Sequence, residues 1–158
     1  LRRDLMTLEE YLSSASYMND HIKILLDEKA KLYQIATAIN CDMSKERVQA
    51  SASGDKLPNI IAKIIDLERQ IDREIDAYID RKRAIRALIK SVLPVSEIQW
   101  RVLVYRYMMG LCWDDVADKC NYSVSQIKRI HKAAIEEIRR QNPKKVSEIE
   151  KMNRNELE

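Results

Sequence analysis

The feature that most constrains the fold is an unbroken heptad pattern between residues 57 and 92. Its eleven positions are Leu57, Ile61, Ile64, Glu68, Ile71, Ile75, Tyr78, Lys82, Ile85, Ile89 and Val92, and all of them except Glu68 and Lys82 are apolar. The stripe is widened by Ile60, Leu67, Ile79 and Leu88. Because one helix cannot bury such a stripe by itself, the sequence predicts a helix over 58–92 that packs against at least one other helix.

The nearest partner in the chain is the segment 5–39, which has apolar residues at helical spacing and no Gly or Pro. These residues are Leu5, Leu8, Leu12, Ala15, Met18, Ile22, Leu25, Leu32, Ile35 and Ile39. We predict that this segment folds back on 58–92 as a long, coiled-coil-like antiparallel hairpin. A second copy of the chain is a further candidate partner, which would make these N-terminal helices the surface of a homodimer.

Residues 40–57 break the pattern and predict a loop between the two helices. Ser44 and Gly54 punctuate this polar stretch, and Pro58 suits the first turn of the helix that follows. The loop is longer than a helical hairpin needs. It carries the cations Lys45, Arg47 and Lys56. Two interpretations stay open. The loop contacts DNA phosphate, RNA polymerase or another subunit, or it is simply solvated.

Pro94 marks the end of this N-terminal part, because proline disfavours helix at the residue before it. The three shorter helices predicted beyond it are 95–109, 112–119 and 124–141. They are joined at Gly110 and at residues 121–123. The highly charged residues 144–158 predict a frayed helix or a disordered tail. The chain is thus expected to divide into a helical hairpin, a domain of three short helices and a charged tail, at 1–93, 94–142 and 143–158.

Composition agrees with an all-α fold, because the 158 residues include only 2 Gly, 3 Pro and no Phe. The net charge of +3 is mildly basic, so any affinity for DNA must come from local clustering of cations. The three scattered Cys predict no disulfide, and neither they nor the two distant His have the spacing of a metal site. No apolar run approaches the ~20 residues of a membrane helix. A cytoplasmic protein without metal or cofactor is expected.

Residues 112–140 have the pattern of a helix-turn-helix, in which two short helices cross over a tight turn. The apolar face of the first helix consists of Trp113, Val116 and Ala117. In the turn, Asn121 tolerates a left-handed backbone and Ser123 suits an N-cap. Gln126 follows Ser123 by three residues, so the sequence predicts a capping box at the start of the second helix.

The second helix of such a motif lies in the major groove of DNA and presents its early residues to base edges. Its predicted core face consists of Ile127, Ile130, Ala134 and Ile138. Gln and Arg side chains can hydrogen-bond base edges, whereas Lys suits phosphates. The DNA-binding residues predicted on the opposite face and at the helix start are Ser123, Ser125, Gln126, Lys128, Arg129 and Lys132. The alternative is an ordinary amphipathic surface helix.

The remaining aromatic and acidic residues indicate packing rather than chemistry. Trp100 and Trp113 are predicted to be core residues. Asp114 and Asp115 fall in the first turn of a helix, where negative charge is favourable in any case. Neither a nucleophile with its base nor a phosphate-binding glycine loop is visible, so the sequence predicts that the protein is not an enzyme.

The stretch 97–140 resembles region four of sigma factors. That region typically ends one helix in a Tyr followed by Gly, continues with an acidic helix that ends in Val/Ile-Ala, and finishes with a recognition helix beginning near a Ser. The corresponding parts here are Tyr-Met-Met-Gly at 107–110, Trp-Asp-Asp-Val-Ala at 113–117, and Ser-Val-Ser-Gln-Ile-Lys-Arg-Ile at 123–130. The resemblance implies a DNA-binding domain.

The resemblance extends upstream. Residues 46–56, followed by the helix at 60–75, are similar to a family of small phage and prophage proteins from Gram-positive bacteria, the late-gene transcriptional regulators of ArpU/RinA type. Membership would imply a transcription activator that binds double-stranded DNA near phage promoters and contacts RNA polymerase. The chain departs from complete sigma factors because it has no region two. Val124 and Ser125 also stand where housekeeping sigma factors often have Arg and Glu, so a different base preference is expected.

Two other functions remain open from the sequence. A DNA-packaging recognition subunit of a phage, like a small terminase, also combines a helix-turn-helix with oligomerising helices. Such proteins usually place the DNA-binding part first, whereas the order here is reversed. A protein–protein adaptor, in which the coiled-coil hairpin binds a partner and the C-terminal helices only pack, is the second alternative.

Overall fold

The computed structural model describes residues 5–43 and 56–152, and every element in these ranges is a helix. In chain order the elements are α1 (Leu8–Met43), α2 (Lys56–Lys90), α3 (Glu97–Leu103), a π-helical segment (Val104–Met108), α4 (Trp113–Cys120), α5 (Val124–Gln141) and α6 (Pro143–Ile149). The all-α class predicted from the sequence is confirmed. None of the helices described is both long enough and apolar enough to cross a membrane.

The two long helices extend into 40–57, where the sequence predicts a loop. α1 continues to Met43 because nothing at 40–43 interrupts a helix, and α2 begins at Lys56. Both ends of the predicted loop are therefore helical. Residues 44–55 lie outside the described residues. They include Lys45 and Arg47, two of the three cations of the predicted loop, and nearly all of the segment 46–56 that resembles phage regulators.

The described residues form two compact units. Unit I contains residues 5–17 and 80–152, and unit II contains residues 18–79. The division falls within α1 and α2, whereas the sequence predicts a boundary between residues 93 and 94. The start of α1 and the end of α2 thus group with the short C-terminal helices.

Unit I buries apolar side chains from α1, α2, α3, α4, α5 and α6. Its most deeply buried side chains are Met6, Leu8, Leu12, Ile85, Ile89, Val92, Val102, Leu103, Val116, Ile127, Ile138 and Ile149. Each buried Leu or Ile contributes about 1.5–3 kcal/mol relative to exposure, so this core accounts for most of the stability of the unit. One buried polar group, the Ser14 hydroxyl, is satisfied by Arg81 Nη1 at 3.1 Å.

The start of α1 is fixed by a capping box that the sequence analysis did not identify. The Thr7 backbone N–H donates to Glu10 Oε2 at 2.7 Å, and the Glu10 backbone N–H donates to Thr7 Oγ1 at 3.2 Å. Two backbone donors that have no partner within the helix are satisfied in this way.

The first part of the charged tail is helical, which is one of the two forms that the sequence predicts for 144–158. Pro143–Ile149 is helix α6, in which Val146 and Ile149 are buried. Pro143 ends α5 but also occupies the first position of α6, where its missing N–H has no consequence. Arg139 of α5 is paired with Glu150 at 2.6 Å, which further attaches this segment to unit I. Residues 153–158 lie outside the described residues.

Unit II has a much smaller core. Leu25 of α1 and Leu67 and Ile71 of α2 are buried together, with Leu32 and Ile75 packed against them. Glu68, a charged position of the predicted seam, accepts hydrogen bonds from Lys29 Nζ at 3.3 Å and from Tyr33 Oη at 3.1 Å.

Two apolar positions of the predicted α2 stripe are exposed. Ile61 and Ile79 are each 46% exposed, as are large parts of Ile24 and Ile65 in the same unit. The heptad pattern therefore correctly places Ile64 and Ile71 inside but overestimates how much of the stripe one neighbouring helix covers.

Candidate nucleic-acid interface

The candidate interface is built on α4, the turn 121–123 and α5. The turn is formed by Asn121, whose backbone lies in the left-handed region with φ 57° and ψ 45°. Its N–H group, and that of Tyr122 at 3.1 Å, bond to carbonyls in the last turn of α4 and satisfy them. Asn is among the few non-glycine residues that adopt this conformation readily, so a single residue reverses the chain between the helices.

The predicted capping box at the start of α5 is confirmed. Ser123 Oγ accepts from the Gln126 backbone N–H at 3.3 Å, and Gln126 Oε1 accepts from the Ser123 backbone N–H at 2.9 Å. The Ser123 hydroxyl also donates to Gln126 Oε1 at 3.0 Å. Both side chains, which the sequence nominates for DNA contact, are therefore engaged with each other.

The apolar face of α5 packs against α3 and α4. Ile127 is buried in a cluster with Val102, Val116 and Ala117. Ala134 and Ile138 are buried as predicted, whereas Ile130 is only half-buried. Ile135, which the sequence analysis did not assign to the core, is buried as well. Side-chain phase on a single helix thus located the buried face to within one position.

The opposite face of α5 is exposed over its first ten residues. The exposed side chains are Ser125, Gln126, Lys128, Arg129, Lys132 and Ala133, and Ser123 is exposed just before them. The structure therefore brings all six nominated residues to one end of α5, at its surface.

Charges are distributed unevenly along α5. Within the described part of the chain, Lys128, Arg129 and Lys132 form no ion pair. The cations near the C-terminal end are all paired with carboxylates. The pairs are Arg139 with Glu136 at 3.9 Å, Arg139 with Glu150 at 2.6 Å, and Arg140 with Glu137 at 2.8 Å. Hydrogen bonds from Arg140 and Gln141 hold the pKa of the Glu137 carboxyl below its usual range.

The rear of α5 is supported by an aromatic cluster around His131. His131 Nε2 lies 2.8 Å from Tyr107 Oη, and the Trp113 ring meets the imidazole edge-on at 5.0 Å. The Arg106 guanidinium stacks 4.6 Å from the Trp113 ring centroid and donates to the Leu111 carbonyl. Trp113, predicted as a core residue, is in fact half-buried, and so is Trp100.

Tyr107 belongs to the π-helical segment, which the predicted helix 95–109 did not anticipate. A π turn holds one more residue than an α turn and shifts the direction of the side chains that follow. Burial raises the pKa of the Tyr107 hydroxyl above its usual range and lowers the pKa of His131, which nearby Glu9 opposes. A neutral imidazole that accepts from the tyrosine hydroxyl fits both directions.

A notch of about 360 Å³ lies beside the exposed face of α5. Gln126, Arg129, Ile130 and Ala133 of α5 form one side, Tyr122 forms the end, and Ser96, Ile98 and Gln99 of α3 form the other side. Tyr122 is 43% exposed. The sequence analysis missed the contribution of Tyr122 and of α3, because nothing in the local spacing shows that these segments meet.

Among the residues that the structure describes, no cluster of three or more His, Cys, Asp or Glu side chains could hold a metal ion. Comparison with known proteins gives no relative from which to argue, since no family model, no curated protein and no solved structure matches the chain.

Proposed function

We propose that this chain is a sequence-specific transcriptional regulator that binds double-stranded DNA, and that α4, the turn and α5 form a helix-turn-helix of sigma region-four type. The proposal rests mainly on one observation, the three exposed cations on the first half of α5 that have no carboxylate partner among the described residues. The second half of α5 pairs both of its cations with carboxylates, whereas the three cations of the first half remain available to an anion. Unpaired cations are suited to phosphates, whose neutralisation releases counterions.

The local geometry supports the same proposal. The buried cluster around Ile127 fixes α5 against α3 and α4, so the exposed side chains are held on a rigid helix. In a helix-turn-helix the first residues of the second helix contact base edges in the major groove. The capping box at Ser123 stabilises that end of α5. The resemblance to ArpU/RinA-type phage regulators belongs to this proposal, as does contact with RNA polymerase near a promoter.

We further propose that α1 and α2 form an antiparallel hairpin through which two copies of the chain associate. Support comes from unit II, where Leu25, Leu67 and Ile71 form a small core while Ile61 and Ile65 are more than two-fifths exposed. A single helix-turn-helix makes few base contacts, and pairing of two copies would double them.

The experiment that tests the DNA-binding proposal is selection from a random duplex library at near-physiological salt. The wild type is expected to enrich one compact motif. The Lys128→Ala/Arg129→Ala variant is expected to lose it, and the salt dependence of its remaining binding should fall by about one unit of slope for each phosphate contact removed.

The matched control is Lys144→Ala/Lys145→Ala, which removes the same charge from exposed positions of α6. It should keep the motif. Equal retention of all three proteins, with no enriched motif, would contradict the proposal and favour the adaptor interpretation. A palindromic motif would support binding as a dimer.

A further inference from the structure

We infer that the notch between α3 and α5 seats the sugar–phosphate backbone of one DNA strand, with the Tyr122 hydroxyl as a direct phosphate contact. This inference rests on the proposed DNA-binding function and extends it. It assigns a footprint on α3 and on the turn, which the sequence did not nominate, and it separates residues that fix the position of the protein from residues that recognise bases.

The first argument is the position of the notch. Gln126 and Arg129 line it and also belong to the exposed face predicted to recognise bases. When that face enters a major groove, the backbone at the edge of the groove must pass beside α5. The notch is a concave surface on the flank of α5 that carries Gln126, Arg129 and Ala133, whereas Lys128 and Lys132 are exposed on the other flank.

The second argument is charge. The lining of the notch contains Arg129 and no carboxylate. Three other grooves in the described part of the chain each contain carboxylates: Glu28 and Asp66 in one, Glu150 in another, and Glu9 and Glu10 in the third. Cations offset the carboxylates in the first two of these grooves, which also contain Lys63, Arg69 and Arg73, and Arg139 and Lys151. The notch differs from the other three in having no carboxylate that would repel a phosphate at close range.

The third argument is chemistry. The lining of the notch combines the apolar side chains of Ile98, Ile130 and Ala133 with the polar side chains of Tyr122 and Gln99. Deoxyribose presents an apolar edge and phosphate presents only hydrogen-bond acceptors, so an apolar lining with hydroxyl and amide donors complements both. Tyr, Gln and Ser side chains commonly donate to DNA phosphates, and such contacts set position without recognising sequence.

Two substitutions test the inference with little risk to the fold. Tyr122→Phe removes one hydroxyl and is expected to weaken binding about two- to tenfold, equally on the selected duplex and on a scrambled one. Ala133→Glu places a carboxylate at an exposed position of α5 and is expected to weaken binding about tenfold or more on both duplexes, by repulsion of phosphate. Helical content and thermal midpoint, measured by circular dichroism, should stay at the wild-type values.

The matched controls are Tyr17→Phe, at a tyrosine that is 72% exposed, and Ser147→Glu, at an exposed position of α6. Both should bind like the wild type. Wild-type affinity in Tyr122→Phe and Ala133→Glu, alongside a wild type that binds DNA, would overturn the inference and leave the proposed function intact. A change of preference at one base pair of the selected motif, with unchanged affinity for the scrambled duplex, would also overturn it, because Ala133 or Tyr122 would then contact a base. A wild type that binds no duplex at all would overturn the proposed function itself.

Discussion

The two halves of α5 have the same buried face but opposite treatments of charge. Residues 124–132 carry three exposed cations without ion-pair partners among the described residues, whereas both cations of residues 133–141, Arg139 and Arg140, are paired with carboxylates. Both halves bury apolar side chains equally well, Ile127 in the first and Ile138 in the second. Burial therefore does not distinguish the part of the helix that is available to a partner, and charge pairing does. A net charge of +3 for the whole chain conceals this local contrast.

The largest expected effect tests whether the two halves are alike inside. Ile127→Ala and Ile138→Ala each remove a completely buried side chain, so each is expected to lower the free energy of unfolding by about 2–5 kcal/mol. Chemical denaturation followed by circular dichroism measures both values. As a control, Ile65→Ala in unit II, at a position that is 43% exposed, should lower it by much less. A small effect at Ile138 alone would show that α5 is held only at its first half.

A smaller effect on the free energy of unfolding is expected from pH. It depends on His131, which lies where the two halves of α5 meet. Burial lowers the pKa of His131 from its ordinary value of 6.5, with Arg106 acting in the same direction and Glu9 against it. The unfolded chain therefore takes up a proton at a higher pH than the folded chain does. Stability is complete above pH 6.5 and is expected to fall as the pH drops below that value.

Denaturation of the wild type and of His131→Gln at pH 7.5 and at pH 5.5 measures this effect. The variant should lose less stability between the two pH values, because it lacks the imidazole whose pKa burial lowers. Equal losses in the two proteins would show that other groups cause the pH dependence.

The smallest expected effect separates stability from binding. Lys128 and Lys132 are one helical turn apart and repel each other. Lys132→Glu replaces this repulsion by an attraction, so it should raise the free energy of unfolding by about a few tenths of a kcal/mol, as i,i+4 charge pairs on a helix surface do. The same substitution should strongly weaken retention of DNA. Arg140→Glu, which breaks the pair with Glu137, should instead lower the thermal midpoint and leave DNA binding close to wild type. If both substitutions changed binding equally, the contrast between the halves would have no functional meaning.

Much of this molecule follows from local sequence rules. The bounds of α5, its capping box and its exposed face were all predicted, because capping residues and helical phase are determined within a few positions of the chain. For the segment of α6 the sequence left a frayed helix and a disordered tail open and did not predict its buried residues, since only Val146 and Ile149 of a charged segment are buried, and two apolar residues do not define a period. The π-helical segment was missed because apolar spacing does not encode a shift in backbone hydrogen bonding.

The candidate site was predictable in part for the same reason. All six nominated side chains lie together because they share one helix or its cap. The contribution of Tyr122 and Gln99 depends on α3 approaching α5, which is a tertiary arrangement. In unit II, the exposed Ile61 and Ile79 show the converse limit, because a heptad pattern records which residues could be covered and does not show what covers them.

The hydrogen bonds between Ser123 and Gln126 have a consequence for how such a helix would discriminate among sequences. Gln126 Oε1 accepts two bonds from Ser123, so the carboxamide cannot offer both of its atoms to an adenine until the cap opens. A duplex with the matching base would replace the bonds that are broken, whereas a mismatched duplex would leave the cap closed. The capping box would then stay closed on non-cognate DNA and open only where hydrogen bonds to the correct base replace those between Ser123 and Gln126.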